Sequence, residues 1–153
     1  MISVNQIIQE VKESILETQD RIADLDLQIS KFDISIKTIF LEAHGIEGKF
    51  SIGPLTLGLK RNVTNTCANT VNLTFKVEEL DVELQGNLSE RLVEAIVLMT
   101  KEIKLALTNY PEFDYLGSSV EVAFDITETG GIQVLFGHEQ ESNLFHSVTI
   151  YFE

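Results

Sequence analysis

The sequence predicts an α+β protein built of two tandem helix-plus-antiparallel-sheet units, the first opening on a long, coiled-coil-like N-terminal helix. Three observations predict it. The N-terminal stretch is apolar at a helical period, the stretches from Phe50 and from Val120 are apolar at a period of two, and the order helix, strand, strand, strand occurs twice. The chain has 153 residues, 44% hydrophobic and 23% charged, enough apolar matter for a core. No run nears the roughly 18 uncharged apolar residues of a membrane span. The opening residues lack the basic and apolar regions of a secretory signal, and the single Cys67 allows no internal disulfide. A cytoplasmic protein is expected.

The first helix carries the strongest periodic signal. Val4, Ile8, Val11, Ile15, Thr18, Ile22, Leu25, Ile29, Phe32, Ile36 and Ile39 alternate spacings of four and three. That is a heptad stripe with isoleucine at each a position from Ile8 to Ile36. Ser3 and Gln6 have the form of a capping box, and Gly45 stands where a glycine closes a helix. The pattern predicts one helix over residues 3–44. Residues 32–40, FDISIKTIF, also alternate like a strand and are rich in β-branched side chains, so an end near Ser30 stays open. Residues 3–22 have no sheet of their own to cover. They are expected to self-associate through Val4, Ile8, Val11, Ile15, Thr18 and Ile22, as a dimer rather than a trimer.

After Gly48, Phe50, Ile52, Leu55, Leu57 and Leu59 suggest a strand whose phase Gly53-Pro54 offsets. Arg61–Thr70 reads as a polar loop. Val71, Leu73, Phe75 and Val77 alternate as a second strand, and Leu80, Val82 and Leu84 as a third or its tail. The unit boundary falls at Gly86, giving residues 1–86 and 87–153, expected to pack as one body.

The second unit repeats the order. Asn87 with Glu90 starts a helix, and Asn109 with Pro111 stops it. Leu88, Leu92, Ala95, Ile96, Met99, Ile103, Ala106 and Leu107 share one face, which Val93, Val97, Leu98 and Leu105 widen, so burial on more than one side is expected. Strands follow at Val120–Ile126, after the Gly130-Gly131 turn at Ile132–Phe136, and at Val148–Phe152. Setting Phe50 on Tyr115 aligns Leu55, Leu57 and Leu59 with Val120, Val122 and Phe124, and His44 with Asn109. A tandem duplication is expected.

The pieces Phe50–Leu59 with Val71–Val77, and Val120–Phe136 with His146–Phe152, resemble the bacterial trypsin-co-occurring domains over about two thirds of the chain. The shared features are hydrophobic patterns: F-x-x-G-P/S, a glycine turn into an alternating strand, and a closing H-x-V. The resemblance implies a small α+β module, a non-catalytic adaptor found beside peptidases and other effectors of bacterial conflict systems. The chain departs from that pattern in its two copies, its longer first helix and the lack of an attached peptidase.

Motifs for chemistry are scarce. G-x-S-x-G, P-loop, G-x-G-x-x-G, H-E-x-x-H and EF-hand signatures are absent. His138, Glu139 and Glu141 with His146 form the only group with metal-ligand chemistry, but their spacing matches no signature and reads as a solvated loop. Cys67 lies near Lys60 and Arg61 without a base nearby in sequence, and reads as a bystander thiol. No catalytic residue, cofactor or metal ligand is assigned, and the protein is not expected to be an enzyme.

Charge separates the remaining readings. The net charge is −13, and it is uneven: residues 51–77 hold Lys60, Arg61 and Lys76 and no acid, whereas residues 78–153 hold 15 acids and 3 bases. Direct nucleic-acid binding, which depends on Lys and Arg, is not expected. The preferred reading is a self-associating adaptor that binds a protein partner through an acidic surface including Glu112, Asp114, Glu121 and Glu128. A decoy that fills the basic groove of a nucleic-acid-binding enzyme is the first alternative, and a small-ligand sensor the second. Acids clustered on one face would favour the decoy; scattered acids, the adaptor.

Overall fold

In the computed structural model, which describes residues 3–41, 49–51, 67–78, 84, 86–127, 129–135 and 145–153, helix α1 spans Val4–Arg21. Its start follows the sequence. The Ser3 side chain accepts the Gln6 N–H, and the Gln6 side chain accepts the Ser3 N–H in return, so two of the helix's unpaired donors are satisfied. Its end does not. The helix stops at Arg21, a 3₁₀ turn follows at Ala23–Leu25, and Asp26 takes a left-handed backbone conformation (φ 57°) that turns the chain.

From Ile29 the chain is strand β1, Ile29–Leu41, and this corrects the expected helix over residues 3–44. Both periods fit the sequence here, and Ile34 separates them. It lies off the heptad stripe, yet it is buried together with Phe32, Ile36 and Thr38 in strict alternation. A register shift between Ile29 and Lys31 brings Ile29 onto the same face. The β-branched run therefore does what its propensity favours once partners flank it.

The partners come from both halves. Strands β2 (Lys49–Ser51) and β3 (Cys67–Lys76) pair with β1, as does β6 (His146–Phe152). Strand β4 (Ser118–Ile126) pairs with β6 and with β5 (Ile132–Val134). All pairings are antiparallel. Since β3 meets residues 31–40 of β1 while β6 meets 29–35 and β2 meets 39–41, β6 and β2 share the edge opposite β3. The result is one sheet of six described strands, with β1 joined to β6 at its centre. Among the described elements a helix is followed by three strands twice, but the first of these strands is β1, which the expected repeat placed in the helix, and the strands of both halves form one sheet. The alignment of His44 with Asn109 as helix ends is lost with the shortened α1. Cys67–Thr70, read as loop, belongs to β3. The expected strand segments at 52–59, 80–83 and Phe136 lie outside the described residues.

Helix α2 spans Glu90–Thr108, capped by Ser89 rather than the expected Asn87, and ends at Asn109 as the sequence indicates. Both helices lie on one face of the sheet, α1 against α2 and β1, α2 against β4 and β5. Between them the core closes on Ile7, Val11, Ile15 and Ile22 of α1 and on Leu92, Val93 and Ile96 of α2. From the sheet come Ile34, Ile36, Val122, Phe124, Val148 and Ile150. Gly130 (φ 95°) supplies the left-handed residue of the β4–β5 turn, where the Thr127 N–H donates to the Gly131 carbonyl at 2.8 Å.

Candidate functional site

The polar residues inside the apolar stripe of α1 have a structural task. Glu13 Oε2 accepts the Asn87 N–H at 2.6 Å. Ser14 Oγ accepts the Ser89 N–H at 2.9 Å and donates to the Glu10 carbonyl. Thr18 Oγ1 donates to the Ser14 carbonyl. These bonds dock the entry of α2 onto the middle of α1, and Arg21 extends the joint by reaching both Glu90 and Glu17.

The coiled-coil seam is thereby taken up by the chain itself. Val11, Ile15, Thr18 and Ile22 are buried within one copy, while Val4 and Ile8 are only partly covered and pack against the core from its rim. The innermost residue of the first turns is Ile7, which the heptad reading passed over. A straight helix drifts from a strict seven-residue repeat, so a stripe that meets a sheet and a neighbouring helix turns toward Ile7 rather than Ile8.

The metal group does not assemble among the described residues. His138, Glu139 and Glu141 lie outside them, and His146 points into the core. Its ring is fully buried and tilted on Phe124 at 5.3 Å. Nδ1 accepts the Lys37 N–H at 3.0 Å, and Nε2 has no partner among the described residues. Burial holds the imidazole neutral, with a pKa lowered to about 4; the Asp125 charge opposes this shift and Lys37 adds to it.

The sheet face away from the helices is polar around Asp33, Tyr151 and Glu121. Asp33 accepts from Thr74 Oγ1 at 2.6 Å and from the Tyr151 hydroxyl at 3.0 Å, and Lys31 Nζ lies 4.5 Å from the centre of the Tyr151 ring. The bond to Asp33 raises the Tyr151 pKa above its ordinary value. Glu121 also belongs to this face, since Val120 and Val122 beside it point inward. Glu112 and Asp114 are exposed in the connection from α2 to β4 instead, and Glu128 lies outside the described residues. Of the expected acids, Glu121 is thus on the sheet, and Glu112 and Asp114 are in the connection. Among the other described acids, Glu94 and Glu102 are on the exposed side of α2, and Asp125 is buried.

What the structure does expose is apolar. Leu98 and Leu105, expected to widen the buried face of α2, are 63% and 54% exposed, and Met99 is exposed beside Leu98. The connection that follows adds Tyr110 (95%), Phe113 (85%) and Leu116 (99%). Only the face of α2 that meets β4, β5 and α1 is covered, so the outer apolar residues have no neighbour among the described residues to bury them. Glu112 and Asp114 alternate with the aromatic residues of this connection. Single exposed apolar residues are ordinary, but a run with two aromatics, interleaved with acids, has the composition of an interaction surface. Tyr110, Phe113 and Leu116 have no regular period, so a reading based on periodicity missed them. The available signal was aromatic residues set between charges in a segment bounded by Pro111 and Gly117.

A separate cavity of about 500 Å³ opens between α1, the approach to α2 and the β4–β5 turn. Asn5, Gln9, Glu10, Asn87 and Gly130 are among its walls. Burial raises the Glu10 pKa, against the effect of the Ile132 N–H that its carboxylate accepts. No helix of the described residues is long and apolar enough to cross a membrane. No family model, curated protein or solved structure matches the chain.

Proposed function

We propose that this chain is a non-enzymatic adaptor that binds a protein partner through the outer half of α2 and the connection to β4. The exposed run Leu98, Leu105, Tyr110, Phe113 and Leu116, interleaved with Glu112 and Asp114, carries the reading. Aromatic side chains that are already in water lose little on docking and gain their full area of burial. The flanking carboxylates favour a partner with a basic rim around an apolar pocket, because opposite charge steers encounter and excludes acidic competitors. The resemblance to adaptor domains of bacterial conflict systems agrees with this reading, and so does a cytoplasmic setting.

The scatter of the acids favours the adaptor over the decoy. Glu94 and Glu102 lie on the helix layer, whereas Glu121 lies on the opposite face of the sheet and Asp125, further along β4, is buried. A groove-filling polyanion mimic needs its charges on one side. The cavity beside Glu10 keeps a small-ligand sensor as the second reading.

The test compares proteins captured from cell extract by the wild-type chain with those captured by Phe113→Ser/Leu116→Ser and by Thr149→Ser on the opposite face. A partner held by wild type and Thr149→Ser but released by the double variant supports the reading. A partner held equally by all three places the binding surface elsewhere. Purified wild type that displaces DNA from a captured nuclease at low salt would favour the decoy.

A further inference from the structure

Among the described strands, β3 forms one edge of the sheet, and its side away from β1 has an unusual composition. The Val77 N–H donates to the Ser30 carbonyl at 2.9 Å, and the β1–β3 register extends this pairing through Phe32↔Phe75, Ile34↔Leu73 and Ile36↔Val71. In an antiparallel ladder the bonded pairs alternate, so Thr70, Asn72, Thr74 and Lys76 turn their N–H and C=O groups away from β1. No described strand pairs with them there. On the face that α1 covers, Val71, Leu73, Phe75 and Val77 are only half-buried, and no described strand flanks them on the side away from β1. Natural edges are usually guarded by proline, bulges or several charges; residues 70–77 contain no proline and only Lys76 as a charge.

We propose that two copies of this chain pair through β3, antiparallel about a two-fold axis at Leu73. This proposal is independent of the adaptor reading, whose surface lies on α2. The register is self-complementary. Asn72 and Thr74 of the two copies become bonded pairs, using the backbone groups that point outward. Leu73 then faces Leu73, and Val71 faces Phe75, in the closer non-bonded pairs, which covers the half-exposed apolar row. Lys76 of each copy meets Thr70 of the other, so the two cations stay apart.

Charge selects the same edge. Two bodies of net charge −13 repel over most of their surfaces, whereas β3 carries Lys76 and no acid. Among the described strands the opposite edge is β5, which is three residues long and offers little to pair. Joining edge to edge buries less than the roughly 1,200–2,000 Å² of a standard interface, so the dimer belongs to the weak class.

Sedimentation of the full chain tests this at concentrations from about 5 to 500 µM and at about 20 mM and 0.5 M NaCl, where screening differs most. The wild type is expected to move from monomer toward dimer, and to do so at lower concentration in high salt. Asn72→Pro removes an outward N–H that β1 does not use, a position where an edge strand tolerates proline, and should raise the dissociation constant at least about tenfold. Asn72→Lys with Thr74→Lys sets ammonium groups opposite one another across the axis on the exposed face, while the ammonium at position 74 stays beside the opposite charge of Asp33, and should abolish the dimer with the circular dichroism of the monomer retained. If Asn72→Pro fails to fold, the double variant decides. A wild type that stays monomeric throughout, or a dimer that survives the folded variants, overturns the proposal.

Discussion

The imidazole of His146 accepts the backbone N–H of Lys37 and so takes the place of a carbonyl at the point where β6 leaves the edge of β1. The backbone ladder between these strands reaches Ser35↔Ser147 and stops there, and β2 takes up the same edge from Ile39. One side chain closes the gap between strands from the two halves of the chain. It can do so only as the neutral ring, because protonated Nδ1 has no lone pair to offer.

Stability should therefore depend on pH through His146. Its pKa is about 4 when folded against 6.5 ordinarily, so between these values the unfolded chain binds more protons than the native one. Stability is full above about pH 6.5 and falls toward pH 4, by a sum on the order of 3 kcal/mol. His146→Leu should be less stable at pH 7 by about 1–3 kcal/mol, since the Lys37 N–H loses its acceptor. The decisive comparison is the wild-type-minus-variant difference in urea unfolding, which should shrink between pH 6.5 and 4. A difference that is constant over this window contradicts the assignment.

Ile7 and Ile8 should respond unequally to truncation. Ile7 is fully buried and Ile8 only partly covered. Ile7→Ala is expected to cost about 2–5 kcal/mol, and Ile8→Ala clearly less. Equal losses on thermal or urea unfolding would mean that α1 presents the heptad face after all.

Ser14→Ala removes the acceptor of the Ser89 N–H while leaving Glu13 bonded to Asn87. The cost should be about 1–3 kcal/mol, as for other buried donors left unpaired. Hydrogen exchange gives the specific readout: the Ser89 amide should lose protection more than the amides of β4.

Tyr151 should ionise at higher pH than a free tyrosine, because its hydroxyl donates to Asp33. In a chain carrying Tyr110→Phe and Tyr115→Phe, the absorbance of phenolate reports Tyr151 alone. Asp33→Asn should move its titration down toward the ordinary value. An unchanged midpoint would show that the bond is not kept in solution.

The sequence by itself determined the features that depend on neighbours a few residues away. The Ser3–Gln6 capping box, the Asn109 end of α2, the Gly130 turn and the alternation of β6 are all local, and all are present, whereas β4 is buried without a break from Val122 to Ile126. Residues 29–41 could not be decided that way, since heptad and alternating patterns coincide on Phe32 and Ile36. Only the tertiary structure chose. Ile34 finds Leu73 on one side and Val148 on the other, and two flanking strands satisfy the backbone while burying residues that a free helix would leave in water. The same reason hid the candidate surface. A helix with apolar residues on several sides does not state which side a sheet will cover, and α2 buries Leu92 and Ile96 while leaving Leu98 and Leu105 outside because β4, β5 and α1 occupy one side only. Periodicity reports which residues can be buried together; which of them are buried depends on partners distant in the chain.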